Sequence, residues 1–240
     1  MAKRILTTGG VLTVLLVWTM AASSVVEARP AAVSVQIAGT SLTLPTPDAH
    51  CPLEREKPSD ARVLSMVEGA LAGQNRLLGI YAPCDALGDW RSGKRALLGQ
   101  MVQFQSIVSI AKVTIPKPYA RQYASFCSNM RKRGQEIADE VSPEISRRIA
   151  KMTETIRVSE PKVIGVRKSG GVSCIVLVAQ KIAAEDGSAL VQLVAYRPLI
   201  LKGKFVFAYV FRDLDNGAGV KPAISELEAI ADATIAANGT

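Results

Sequence analysis

Between Val33 and Leu44 apolar and polar side chains alternate: Val33, Val35 and Ile37 share one side, Ala38-Gly39-Thr40 interrupts, and Leu42 and Leu44 resume. A period of two over segments this short predicts a strand or hairpin, ended by Pro45 and Pro47. The period then lengthens. Ser59-Asp60 offers an N-cap, Val63, Val67, Ala70 and Leu71 fall on one helical face, and Gly73 stands near the end of that pattern, which predicts a short amphipathic helix. Leu77 to Ala82 is an apolar run between Asn75 and Pro83-Cys84-Asp85 and reads as a buried strand. Gly88 to Gly93 reads as a loop or a single helical turn in which Trp90 lids the core.

From Ala96 to Ile115 the pattern is again β-like, with Leu98, Val102 and Phe104 followed by Ile107, Val108, Ile110 and Val113; the second half can form a separate strand. Pro116-Lys117-Pro118 breaks it, and Pro118 suits the first position of a helix. Tyr119, Tyr123, Phe126, Cys127 and Met130 then recur at helical spacing, as do Ile145, Ile149, Met152 and Ile156, with Gly134 and Pro143 between. Two or three helical pieces are expected between residues 117 and 157. After Pro161 the chain turns to strands: Val163 to Lys168, Val172 to Ile182, Leu190 to Tyr196 and Phe205 to Phe211, separated by glycine-containing turns. Short turns between neighbours imply an antiparallel meander. Phe205, Phe207, Tyr209 and Phe211 alternate with Val206, Ala208 and Val210. Both faces of that strand are therefore apolar, and it belongs near the centre of a sheet covered on each side. Ala223 to Ala236 has an apolar face of Ile224, Leu227, Ile230, Ala231, Thr234 and Ile235 and predicts a helix packed on that sheet.

These elements predict one α+β domain over residues 29–240, an antiparallel β-sheet covered by helices, with a helical block in the middle and a C-terminal helix. Residues 29–32 are expected to be disordered, and no internal repeat or low-complexity segment is present.

The N-terminus changes the picture of where this domain works. Lys3 and Arg4 precede an apolar stretch from Val11 to Ala22, and Val26-Glu27-Ala28 is a small-x-small site. The stretch is roughly 10 residues, within the range of a secretory h-region and short of the roughly 20 of a membrane-spanning helix. A cleaved signal peptide of residues 1–28 is expected, with a periplasmic or extracellular destination and no permanent span. No lipobox cysteine follows. The four cysteines, Cys51, Cys84, Cys127 and Cys174, suit an oxidising compartment. Three connectivities are possible; sequence order favours Cys51 with Cys84 and Cys127 with Cys174. They are scattered and the chain has a single histidine, which argues against a zinc site.

The formal charge is +8. Losing Lys3, Arg4 and Glu27 removes a net of one positive charge and leaves +7. Such a chain is attracted to anionic surfaces, and Arg131, Lys132, Arg133, Arg147 and Arg148 on the outer faces of the helical block are candidate anion-binding residues, against an ordinary reading as a solvated face. An anionic envelope surface or another envelope protein is the expected kind of partner; nucleic acid is not. Asp213, Asp215 and Asn216 share a polar loop but lack the spacing of a calcium-binding EF-hand.

Candidate chemistry is sparse. There is no G-x-S-x-G elbow, phosphate-binding glycine loop or dinucleotide fingerprint. His50 is the one histidine available as a base and lies beside Cys51; a disulfide cysteine next to an exposed loop histidine is the expected arrangement, with a Cys51/His50 or carboxylate-based hydrolase as the alternative. No catalytic residue, cofactor or metal is assigned. The hairpin ending at Leu44-Pro45, the helix crossing a sheet, the late meander and the C-terminal helix ending near Asn238 resemble the PsbP and DcrB-like group of exported α/β sandwiches. That resemblance implies a binding or accessory role in the cell envelope and no chemistry. The leading expectation is thus an exported non-enzymatic binding protein.

Protein purified from an exporting host is expected to lack residues 1–28 and to gain no mass on denaturing alkylation until it is reduced. An uncleaved chain with four reactive thiols in the intact-mass spectrum would overturn the export reading.

Overall fold

The computed structural model describes residues 32–95, 98–153, 156–159, 161–184, 187–214 and 217–239. The expected signal peptide lies outside the described residues, as do residues 29–31; Ala32, expected to be disordered, instead opens the first strand.

Strands β1 (Ala32–Ile37) and β2 (Thr40–Pro45) form the expected hairpin, with Ile37 opposite Thr40. Its two-residue turn has both central residues at positive φ, Ala38 at 45° and Gly39 at 82°, which matches the right-handed twist of the strands it joins. After β3 (His50–Pro52), α1 (Pro58–Leu71) starts with its proline at the first turn. Asp60 is therefore inside the first turn and fully buried, and the expected Ser59-Asp60 cap is displaced to Lys57. Strand β4 (Asn75–Pro83) follows, then α2 (Cys84–Arg91), two turns of helix where a loop or one turn was expected.

Strand β5 is limited to Met101–Ile107. The predicted continuation to Ile115 fails because Val108 and Val113 are about half exposed; the segment crosses the surface, pinned by Lys204 Nζ, which donates to the carbonyls of Ala111 and Val113 at 3.2 Å. The predicted helical pieces are one 33-residue helix, α3 (Ala120–Met152), roughly 50 Å long at 1.5 Å per residue. It begins after Pro118, not at it, and contains Pro143. Gly134 did not break it: the helix face there packs against Val163 and Met130. Ile156, expected to end that helical pattern, instead opens β6 (Ile156–Val158). The meander is β7 (Lys162–Ser169), β8 (Ser173–Ala184), β9 (Ala189–Leu201) and β10 (Lys204–Asp213), and α4 (Val220–Ala237) ends the fold.

The eight strands β3 to β10 form one antiparallel sheet in the order β3-β4-β5-β10-β9-β8-β6, with β7 also paired to β8. Strand β10 sits in the middle, as its two apolar faces required. On one face Val206, Ala208 and Val210 pack with Val102, Phe104, Leu193 and Leu199 beneath α4 and the β1–β2 hairpin. Arg212 holds Glu226 of α4 at 2.8 Å, Arg197 holds Asp232 at 3.1 Å, and the Asn238 side chain pairs with both the N–H and the carbonyl of Thr43 in β2. On the other face Phe205, Phe207, Tyr209 and Phe211 make an aromatic row with Tyr196 and with Phe126 of α3. Burial raises the pKa values of the Tyr196 and Tyr209 phenols.

Both favoured cysteine pairs are joined. Cys127 to Cys174 staples α3 to β8, and Cys51 to Cys84 ties β3 to the first residue of α2. Sequence separations of 33 and 47 residues correspond to about 4 kcal/mol each in the chain-entropy model. Cys127 and Cys174 are buried while Cys51 and Cys84 are half-buried. Under graded reductant with native-state alkylation, label is expected on Cys51 and Cys84 first and on Cys127 and Cys174 only with global unfolding. Peptide mapping that found the opposite order would contradict this placement.

Candidate functional site

On the aromatic-row side of the sheet two cover elements meet only in part. The C-terminal half of α1 touches the end of α3: the Met152 thioether fills the space a side chain at Gly69 would need, and Arg148 donates to the Ala72 carbonyl. The N-terminal half of α1 stands clear of β6, and the gap is a groove of about 790 Å³. Arg62, Val63 and Met66 of α1 form one wall. Ile149 and Met152 of α3, its C-cap Thr153, and Ile156 and Val158 of β6 form the other. Ile182, Met101, Leu98 and Trp90 close the base and one end. The lining is apolar apart from Ser59, Ser65, Thr153 and Arg62. On the sheet between Ile182 and Leu98, Gln180 donates to Gln192 at 3.0 Å and Gln192 to the Gly99 carbonyl at 3.4 Å, so these amides are satisfied within the sheet layer.

The α1 wall is fixed by Asp60. Its Oδ2 accepts the Glu54 N–H at 2.9 Å and a bond from Arg91 Nη2, and its Oδ1 accepts Arg91 Nε at 3.0 Å and the Ser59 hydroxyl at 3.2 Å. Burial alone would raise the Asp60 pKa, but the hydrogen bonds from Arg91, Glu54 and Ser59 outweigh it and hold the carboxyl below its ordinary range. Arg91 is the last residue of α2 and Trp90 its neighbour, so the same contact positions the aromatic end of the groove. Trp90 packs on the satellite core of Leu53, Leu64, Ile80, Ala82 and Leu87 and presents its remaining surface to the groove; it is lid and lining together.

The residues singled out from sequence are distributed differently. Arg133 forms a two-bond contact with Glu136 at 2.7 and 2.8 Å, and Arg147 and Arg148 both hold Glu144 at 2.7 and 2.8 Å. Arg131 and Lys132 are exposed. Fourteen residues of helix separate Arg133 from Arg147, about 21 Å, so the five candidate cations do not converge. His50 is buried in β3, against the expectation of an exposed loop; its Nδ1 lies 2.8 Å from the Asp48 carbonyl and its Nε2 3.4 Å from Glu226. Cys51 beside it is in a disulfide, which leaves no thiolate for His50 to serve. Asp60 is the one fully buried carboxylate among the described residues and is occupied by Arg91. Asp213 closes β10, while Asp215 and Asn216 lie outside the described residues. Among the described residues no three metal-ligating side chains cluster, and no helix is long and apolar enough to cross a membrane.

The groove itself was missed from sequence. Ile149, Met152 and Ile156 were read only as positions at helical spacing, and the groove arises because α1, α2 and β8 bring Met66, Trp90 and Ile182 to them from distant parts of the chain. No family model, curated protein or solved structure matches the chain significantly.

Arg91→Met leaves Asp60 buried without its cation and is expected to cost about 3–5 kcal/mol. The pH dependence should also change. In the native protein the depressed Asp60 pKa contributes stability above the unfolded value of about 3.9 that is lost as pH falls through the folded pKa. In the variant burial is opposed only by the Glu54 N–H and the Ser59 hydroxyl, so the folded pKa rises from its native position and the stability gained as pH rises past about 4 is reduced. Urea unfolding between acid and neutral pH checks both, and parallel curves for the two proteins would refute the role given to the pair.

Proposed function

We propose that the protein is an exported, non-enzymatic binding protein that takes an apolar small molecule into the groove between α1, the end of α3 and β6. The observation that carries this reading is the groove's volume of about 790 Å³ with its largely apolar lining, in the size range and of the character of small-ligand sites. Met66, Met101 and Met152 line it, and thioether side chains adapt to irregular apolar shapes without a polar cost. Export is supported by the leader pattern of residues 1–28 and by two disulfides, which persist in oxidising compartments. The resemblance of the sequence pattern to the PsbP and DcrB-like sandwiches would fit the same accessory role in the envelope. A hydrolase using Cys51 lacks its nucleophile while the disulfide stands.

The mature chain carries its own reporter. Trp18 belongs to the leader, and Trp90, the other of two tryptophans, lines the groove. Titration with straight-chain alcohols from octanol to dodecanol is expected to shift Trp90 emission saturably. Each added methylene is worth about 0.8 kcal/mol, about fourfold in Kd, until the groove is full. An emission that stays unchanged, or a Kd independent of chain length, would sink the reading.

A further inference from the structure

Arg62 is the only charged side chain among the described lining residues of the groove. It stands on the exposed side of α1, and no ion pair among the described residues involves it. The other arginines close by are engaged: Arg91 with Asp60, and Arg148 with Glu144 and the Ala72 carbonyl. Ser59 and Ser65 lie one helical turn to either side of Arg62 and also line the groove, because residues three apart share a helix face. The rim of α1 is thus a polar row with a guanidinium at its centre, while the opposite wall of Ile149, Met152, Thr153, Ile156 and Val158 is apolar apart from the Thr153 hydroxyl and carries no charge.

From this asymmetry we propose that the ligand is a single-chain amphiphile with an anionic head group, its tail in the groove and its head on Arg62. This rests on the groove being a binding site and names the class of molecule it takes. An anion carried into the apolar base would lose its hydration without a partner there. At the rim it keeps water on one side and gains the fork of guanidinium donors, whose geometry fits carboxylate or phosphate oxygens in pairs. A cationic head finds no carboxylate among the described lining residues and is repelled by Arg62. A neutral head leaves Arg62 hydrated and gains nothing from it. The tail supplies affinity and the head selects.

The test uses the mature protein, Trp90 emission and four probes sharing one chain: dodecanoate, dodecyl phosphate, dodecanol and dodecyltrimethylammonium, each below its micelle concentration. Both anions are expected to bind about fivefold more tightly than dodecanol, the scale of one partly exposed charge pair, and the ammonium more weakly. The preference should shrink as salt rises, since an exposed contact is screened. Arg62→Gln is expected to abolish the preference, so that on the variant both anions bind no more tightly than dodecanol does on that same variant. A carboxylate preference without a phosphate preference, or the reverse, identifies which anionic head the site accepts and supports the proposal. If all four probes bind alike and Arg62→Gln alters none, the head-group assignment is wrong and the groove reading stands. If none binds, the groove reading falls and takes this one with it.

Discussion

The requirement that shapes this molecule is that β10 is apolar on both faces. Phe205, Phe207, Tyr209 and Phe211 point to one side, and Val206, Ala208 and Val210 to the other. A strand of this kind is stable only in the interior of a sheet with cover above and below. Its neighbours β5 and β9 pair with it along most of its length, and the remaining strands extend the sheet outward. What the fold then needs is enough apolar cover for two faces, and the two faces solve this differently.

Over the valine and alanine face the cover is continuous. Helix α4 and the β1–β2 hairpin lie side by side, fastened to one another by Asn238 at Thr43 and to the sheet by Arg212 with Glu226 and Arg197 with Asp232. His50 also reaches Glu226, so its burial follows from closing this layer and requires no chemistry of its own. Over the aromatic face the cover is assembled from α1, α2 and α3, which come from distant parts of the chain. The Cys127–Cys174 disulfide fixes α3 on β8, and the Asp60–Arg91 pair fixes α1 to α2. Between those two attachments α1 and α3 touch over only part of their lengths, and the uncovered remainder is the groove.

Charge follows the same geometry. The excess of basic residues suggested a docking face on α3, yet Arg133, Arg147 and Arg148 have carboxylates on their own helix within one turn, an arrangement that stabilises a long helix by a few tenths of a kcal/mol per pair. Arg148 additionally closes the C-terminal end of α1. Cations that look alike in sequence therefore divide into those paired within α3, Arg148, which also bridges α3 to α1, the exposed Arg131 and Lys132, and Arg62, which lines the groove.

Much of the fold was legible in the sequence because its signals are local. The alternation in β1 and β2 and in the late meander, the helical face of α4, the central place of β10 and the favoured cysteine pairs all depend on residues a few positions apart or on simple order along the chain. Errors arose where a local signal met a tertiary demand. Gly134 and Pro143 are weak helix formers, but α3 continues through them because its packing across the sheet and its disulfide outweigh the local cost. Val108 and Val113 carry strand-forming side chains, but their segment has no strand partner and is held at the surface by Lys204. The groove was not legible, for a physical reason: a cavity is a failure of two surfaces to meet. Arg62, Trp90, Met101, Met152 and Ile182 each have an ordinary local explanation. Sequence alone determined the first hairpin, the late strands, α1 and α4, the two-sided burial of the central strand and the candidate disulfides. Only the tertiary structure decided which apolar side chains find partners and which are left lining an open site, since that depends on where separately anchored helices come to rest.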